Sequence, residues 1–329
     1  MEYISTRNNK KTFTFSDIFL KGLAPDGGLF IPKSLKKFTK EELKSFRNLG
    51  YQDLATKIIS PFLDSFLSEK ELSEIIKKSY SSFRKDNVVH LSKYQNNFLN
   101  INILELFHGP TLAFKDIAMQ LIGNFYEYYL KKNNKKINII VATSGDTGAA
   151  AINAIKGKKN VNIFVLHPHN KISTVQRKIM TTTKEQNVFN LAGKGNFDDC
   201  QNLVKSMFSD KNFSSSINMS GVNSINWARI IAQAVYYFYA YFQSEYVKEK
   251  LYAEPINFSV PTGNFGDVYA GYLSKKMGLP INKLIVATND NDILHRAISN
   301  GNYEVKKVSQ TLSSLMVVIS FLCTFEILL

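Results

Sequence analysis

Cysteine and tryptophan are nearly absent from the chain, which has two of the first, Cys200 and Cys323, and one of the second, Trp227, in 329 residues. Cysteines so far apart supply neither a disulfide framework nor the clustered spacing of a metal site. A reduced, cytoplasmic compartment fits, and no metal is expected. Arginine is also scarce. Six of the 41 basic residues are arginine, whereas base-edge and phosphate-fork recognition favours that residue. The formal charge of +14 is carried mainly by lysines spread evenly along the chain, with no basic block beyond residues 131–136, so nucleic acid is not an expected partner. The first residues, Met-Glu-Tyr-Ile-Ser-Thr-Arg, lack the apolar core of a secretory signal.

What the chain does have is apolar content, 44% of its residues, enough for a substantial core in two domains or one large one. Up to about residue 87 the pattern is mainly helical. Apolar residues at three and four spacing predict helices over 41–49, 54–67 and 70–83, and Pro25-Asp26-Gly27-Gly28 reads as a turn. Residues 1–95 therefore read as a small N-terminal helical domain. From Asn96 onward short apolar runs alternate with amphipathic segments. The strand candidates are 101–106, 137–142, 161–166, 188–191, 256–260 and 284–287, with helices over 116–130, 147–155, 174–181, 198–208, 226–242 and 265–277 between most of them. Such alternation predicts an α/β fold over 96–311, with parallel sheets flanked by helices and ligands beyond the carboxyl ends of the strands.

The final stretch, 312–329, departs from this pattern as an apolar run near the lower length limit of a membrane span, interrupted by Ser320, Thr324 and Glu326. A tail anchor, a buried final helix and a sequence that has left its reading frame are all compatible with it.

Three segments carry chemistry. Lys115 lies in His-Gly-Pro-Thr-Leu-Ala-Phe-Lys-Asp, after an apolar run broken by Gly109 and Pro110 and among apolar neighbours. A Lys-Asp pair opening a helix is commonly a solvated terminus, yet a desolvated amine also deprotonates readily, as a Schiff-base lysine must. The second segment is the loop Thr143-Ser144-Gly145-Asp146-Thr147-Gly148 that follows a strand and opens a helix, an arrangement that attracts an anion such as a carboxylate. An ordinary capped turn would look the same. The third is Pro261-Thr262-Gly263-Asn264-Phe265-Gly266-Asp267, which repeats the strand, loop and helix and can cradle a phosphate through its amides.

With these three segments, and with Lys21-Gly22-Leu23-Ala24-Pro25-Asp26-Gly27-Gly28-Leu29, Gly195-Asn196-Phe197-Asp198-Asp199-Cys200-Gln201 and Asn223-Ser224-Ile225-Asn226-Trp227-Ala228-Arg229, the chain resembles the threonine synthases of the tryptophan-synthase-β-like class. The resemblance runs to about Thr311, and Asp146 in the Ser-Gly-Asp loop favours threonine synthase over cysteine synthases and dehydratases, which typically carry asparagine there. It implies conversion of O-phosphohomoserine and water to threonine and phosphate, with pyridoxal 5'-phosphate held as a Schiff base on Lys115. It also implies that Gly263, Asn264, Phe265 and Gly266 hold the cofactor phosphate, and that Ser144, Gly145, Asp146 and Thr147 hold the substrate. Lys171 and Arg229 are the basic groups it offers for the substrate phosphate. His108 reads as a structural hydrogen-bonding group and Trp227 as core.

Family members of this type extend further, and their carboxyl region supplies a hydroxyl to the pyridine nitrogen. The run over 312–329 offers no counterpart, so a truncated or frame-shifted chain is expected. The alternatives are another β-eliminating enzyme of the same class, a dehydratase or a cysteine synthase, an inactive relative that binds cofactor without turnover, and a tail-anchored protein.

Overall fold

The computed structural model describes residues 1–95, 100–222, 226–252, 254–262, 265–304 and 306. The apolar run at 312–329 and the loop residues Gly263 and Asn264 lie outside the described residues.

The chain opens with β1 (Tyr3–Ser5), α1 (Phe15–Lys21) and β2 (Phe30–Pro32), the two strands pairing antiparallel, followed by α2 (Lys40–Phe46), α3 (Tyr51–Ile59) and α4 (Glu69–Tyr80). Reciprocal caps fix three of these helix starts: Thr14 with Asp17, Thr39 with Glu42, and Ser68 with Glu71. The helix expected over 54–67 stops at Ile59 and tightens into a 3-10 turn at Ser60–Phe62, because Pro61 has no amide proton to continue the ladder.

Next comes a hairpin, β3 (His90–Gln95) and β4 (Asn100–Glu105), paired antiparallel with Leu91 opposite Leu104. This corrects the expectation that the run at 101–106 belongs to the parallel series. The alternating units then follow as α5 (Lys115–Lys132), β5 (Ile137–Ala142), α6 (Asp146–Ile155), β6 (Val161–Pro168), α7 (Thr174–Thr181), β7 (Val188–Gly193), α8 (Phe197–Ser209), α9 (Lys211–Ser216) and β8 (Met219–Ser220). Their strands form one parallel sheet in the order β7-β6-β5-β8. Alternation sends Ile139, Ile163 and Val165 into the main core and Ile140 and Leu166 to the opposite face against Cys200 and Val204 of α8. On that second face a cavity of about 590 Å³ opens beside Phe164, Leu203 and Met207, and it shares no lining residue with the lysine site described below.

The remainder is α10 (Trp227–Gln243), α11 (Glu245–Glu249), β9 (Ile256–Pro261), α12 (Gly266–Lys276), β10 (Ile281–Ala287) and α13 (Ile293–Asn300), with β9 and β10 forming a second parallel pair. Every residue of α10 from Trp227 to Phe242 is buried. It is the central post of the main core, touching α3, α5 and α12. Trp227 packs its ring edge-on to Tyr3 at 6.1 Å, so the N-terminal strand and α10 share one core. Among the described residues no helix is long and apolar enough to cross a membrane.

Candidate active site

Lys115 is the first residue of α5, and the turn before it is wound around one carboxylate. Asp116, 0% exposed, accepts from the amide of Thr111 at 2.7 Å and from its hydroxyl at 2.7 Å. Gly109 is obligatory here, because a Cβ would meet Asp116 Cβ and Oδ2, each at 2.5 Å. Leu112 turns the chain through a left-handed conformation, φ 60°. The carboxylate thus ties the turn to the helix start, and the start aims the lysine. Burial raises the Asp116 pKa, against the opposing effect of the Thr111 hydrogen bonds.

The Lys115 side chain is 14% exposed and its Nζ stands 3.4 Å from Oδ2 of Asp146. The Phe114 ring lies 4.7 Å from the same nitrogen. Burial lowers the pKa of the amine, Asp146 raises it, and the Arg229 charge lowers it again. The net effect is an amine that loses its proton more readily than an exposed lysine.

Asp146 opens α6, directly beyond the end of β5. The loop before it is shaped by Thr143, whose buried hydroxyl accepts from the amides of Gly145 at 3.0 Å and Gly148 at 2.9 Å. Gly145 adopts φ +143°, and a Cβ there would strike the Gln176 side chain. Gln176, from the first turn of α7, donates to Oδ1 of Asp146 and accepts from the Ser173 hydroxyl at 2.9 Å. Ser144 and Thr147 flank this point half-buried. The loop therefore brings Asp146 to the lysine at the carboxyl end of a parallel strand, with Ser144, Gly145 and Thr147 as its neighbours in the chain.

The third segment reaches the same region through its described part. Phe265 is buried and Gly266 begins α12, at the end of β9. Asp267, next in line, accepts at Oδ1 from Tyr236, and from Tyr237 at 3.1 Å. Burial raises the Asp267 pKa, the two phenols oppose that shift, and the Lys115 and Arg229 charges oppose it further. Arg229 sits two turns before Tyr236 on α10, 3% exposed. Lys171, by contrast, is exposed. His108 pairs with Glu105 at 2.9 Å through Nε2, consistent with a structural role, and Trp227 is core.

Gln176, Tyr236 and Tyr237 carry no mark in the sequence, and Asp267 is legible there only as the end of the Gly263 segment, without a role. Asp267 stood beside the Gly263 loop and could have been found by its position in the first turn of a helix. Nothing local marks the other three, because what joins them to Asp146 and Asp267 is a contact across about 30 positions of chain.

A buried amine with a lowered pKa beside two helix starts that open at strand ends is the apparatus of an enzyme that condenses a lysine with an aldehyde and holds anions around it. Residues 91–326 match the family described as pyridoxal-phosphate dependent enzyme, and residues 2–80 match that described as threonine synthase N terminus. Threonine synthase of Pseudomonas aeruginosa is 47% identical over 316 residues, covering 96% of this chain and 66% of the relative. That of Saccharomyces cerevisiae is 47% identical, covering 95% of this chain and 63% of the relative. The crystal structure of pyridoxal-phosphate-bound threonine synthase from Brucella melitensis superposes with a TM-score of 0.89 at 45% identity, over 100% of this chain and 69% of that one. The Escherichia coli threonine synthase structure gives 0.87 at 33% identity, over 99% of this chain and 72% of that one. The chain belongs to the pyridoxal-phosphate-dependent enzymes and, within them, to the threonine synthase family. It spans just under two thirds of the length of the two curated relatives named here.

Proposed function

We propose that the chain is a threonine synthase, converting O-phospho-L-homoserine and water to L-threonine and phosphate with pyridoxal 5'-phosphate bound at Lys115. The observation that carries this reading is the Lys115 amine, desolvated yet 3.4 Å from a carboxylate. The residues present fit the cofactor in charge and chemistry. A nucleophilic amine suits its aldehyde, and the start of α12 at Gly266 suits its phosphate. In this reading Lys115, Gly263, Asn264, Phe265 and Gly266 hold the cofactor, and Ser144, Gly145, Asp146 and Thr147 hold the substrate carboxylate and the cofactor's edge. Residues 1–95 form the helical N-terminal unit and 96–311 the cofactor-binding region.

When bound, the cofactor supplies an electron sink for carbanions at the substrate's Cα and Cβ. Lys115 Nζ takes the proton from Cα and moves protons at Cβ, a role that requires it to be neutral for part of the cycle. The dry surroundings that lower its pKa serve that need, and Asp146 stabilises it each time it is charged. The Cγ–O bond breaks as the γ-phosphate leaves, the protons that the amine took from Cα and Cβ are returned to Cγ and Cα, and water adds its hydroxyl to Cβ while its remaining proton leaves on the phosphate. The same reading puts the protein in the cytoplasm, supported by the scarcity of cysteine and by the free, buried Cys200.

The test uses the purified chain. Adding pyridoxal phosphate should produce a visible Schiff-base absorption band that Lys115→Ala lacks, and O-phosphohomoserine should then release phosphate. Keto acid from serine or threonine, with no phosphate from O-phosphohomoserine, would transfer the site to the dehydratases.

A further inference from the structure

Arg229 has a buried charge that no hydrogen bond at Nε or Nη1 answers among the described residues. Its side chain is 3% exposed, and neither Nε nor Nη1 has a hydrogen-bond partner among the described residues. A guanidinium taken out of water loses its hydration, and folds keep such a group where a counter-ion and acceptors replace it. Asp267 supports the charge through space without supplying those acceptors. Oδ1 of Asp267 is already taken by the hydroxyls of Tyr236 and Tyr237, and no ion pair joins Asp267 to Arg229 among the described residues. Burial pushes the arginine's pKa down to about 10, so at neutral pH the charge remains. The positive field of Arg229 reaches Lys115, where it opposes protonation, and also Asp267 at the start of α12. Arg229 is placed there by its helix as well, two turns before Tyr236 on α10, whose hydroxyl reaches Asp267 at the start of α12.

We propose that Arg229 is a phosphate anchor, its free guanidinium donors completing their hydrogen bonds on a phosphate monoester bound beside Lys115. A phosphate dianion offers what the site lacks, namely negative charge and several acceptor oxygens on one small group. Lys171, the other basic candidate, is exposed and has no comparable need. The inference rests on the reading of Lys115 given above in one respect, the identity of the monoester. That reading supplies two sources of the same chemistry, the cofactor's 5'-phosphate and the substrate's γ-phosphate.

The experiment compares the intact wild-type chain with Arg229→Met, using inorganic phosphate as the first probe. In phosphate-free buffer Arg229→Met should be the more stable protein, because an unpaired buried charge has been removed. Saturating phosphate should reverse the order, and the affinity for the ion should fall by about tenfold or more in the variant. Pyridoxal phosphate and pyridoxal are then titrated separately. Weakening confined to the phosphorylated form assigns the anchor to the cofactor. If both bind as in wild type while KM for O-phosphohomoserine rises at constant kcat, the anchor belongs to the substrate. Should the methionine variant fail to fold, Arg229→Gln carries the same comparison. Binding of inorganic phosphate, pyridoxal phosphate and O-phosphohomoserine all within about twofold of wild type would overturn the proposal. A wild-type chain that forms no absorption band with pyridoxal phosphate, yet loses inorganic phosphate binding on Arg229→Met, would remove the reading of Lys115 and leave the anchor standing.

Discussion

Gln176 and Asp146 are joined side chain to side chain, the amide of the first donating to Oδ1 of the second, while Oδ2 of the same carboxylate faces Lys115 Nζ at 3.4 Å. One carboxylate thus divides its oxygens between an anchor and a reactive amine. Asp146 raises the Lys115 pKa against burial, with a smaller contribution of the same sign from Asp267. Asp146→Asn should therefore lower that pKa further, moving the pH at which the amine becomes reactive downward. Gln176→Ala should move it the same way and less far, since the charge stays but its orientation is lost. The pH dependence of reductive modification at Lys115, read by mass spectrometry, measures both. An upward shift in either variant would contradict the arrangement.

A lysine kept ready for chemistry is a cost to the fold. The folded pKa of Lys115 lies below its unfolded value, so between the two the unfolded chain binds more protons. Its contribution to stability is present above the unfolded pKa and is lost as pH falls toward the folded value, staying lost at neutral pH. Lys115→Met, without cofactor, should be more stable than wild type at pH 7, and the gap should close as pH rises through the unfolded pKa. Chemical denaturation at several pH values gives the comparison.

Helices α5 and α6 approach so closely that a Cβ on Gly123 would lie 2.5 Å from the carbonyl oxygen of Ala154. Two effects oppose each other in Gly123→Ala. Alanine favours a helix over glycine by about 1 kcal/mol, whereas overpacking against a backbone atom costs about 1 to 3 kcal/mol. The backbone cannot swing aside as a side chain would, so the clash should win. A lower urea midpoint with unchanged slope is the expected result. Because α5 begins at Lys115 and α6 at Asp146, the same variant should also weaken pyridoxal phosphate binding.

What the sequence makes legible, and what it hides, follows from the range of the forces involved. Strand β5 (Ile137–Ala142) and helix α7 (Thr174–Thr181) have the limits that periodicity predicts, since a buried strand and an amphipathic helix each declare themselves locally. Strand β3 (His90–Gln95) escaped because His-Leu-Ser-Lys-Tyr-Gln has no apolar alternation and mostly exposed side chains. Its partner β4 was legible as a strand, but not its direction, because Ile101 and Ile103 are 45% and 46% exposed and only pairing reveals the hairpin. Lys115 and the Ser144 loop stood out because glycines mark places where backbone must bend or be approached. Arg229 could be suspected by charge alone. That its Nε and Nη1 find no partner among the described residues is a property of the packed interior and has no signature in the chain.

Thr143 offers the sharpest test of how the loop before Asp146 is held. Its hydroxyl, on a residue 1% exposed, is the acceptor for two buried amides, those of Gly145 and Gly148. Both amides lie at the start of α6, where no carbonyl of the preceding turn is available to them. Thr143→Val keeps the shape and removes the acceptor, leaving two donors without a partner. The expected loss is about 2 kcal/mol or more. Thr143→Ser restores the hydroxyl at the price of one methyl group, which packs on Gly148, and should recover most of the loss. The two variants separate hydrogen bonding from packing. If serine were as damaging as valine, the methyl contact, and not the acceptor, would be what sets the loop. The functional readout follows the same order: with the amides released, Asp146 should no longer be fixed at 3.4 Å from the amine, and the pH profile of Lys115 should shift down in valine but not in serine.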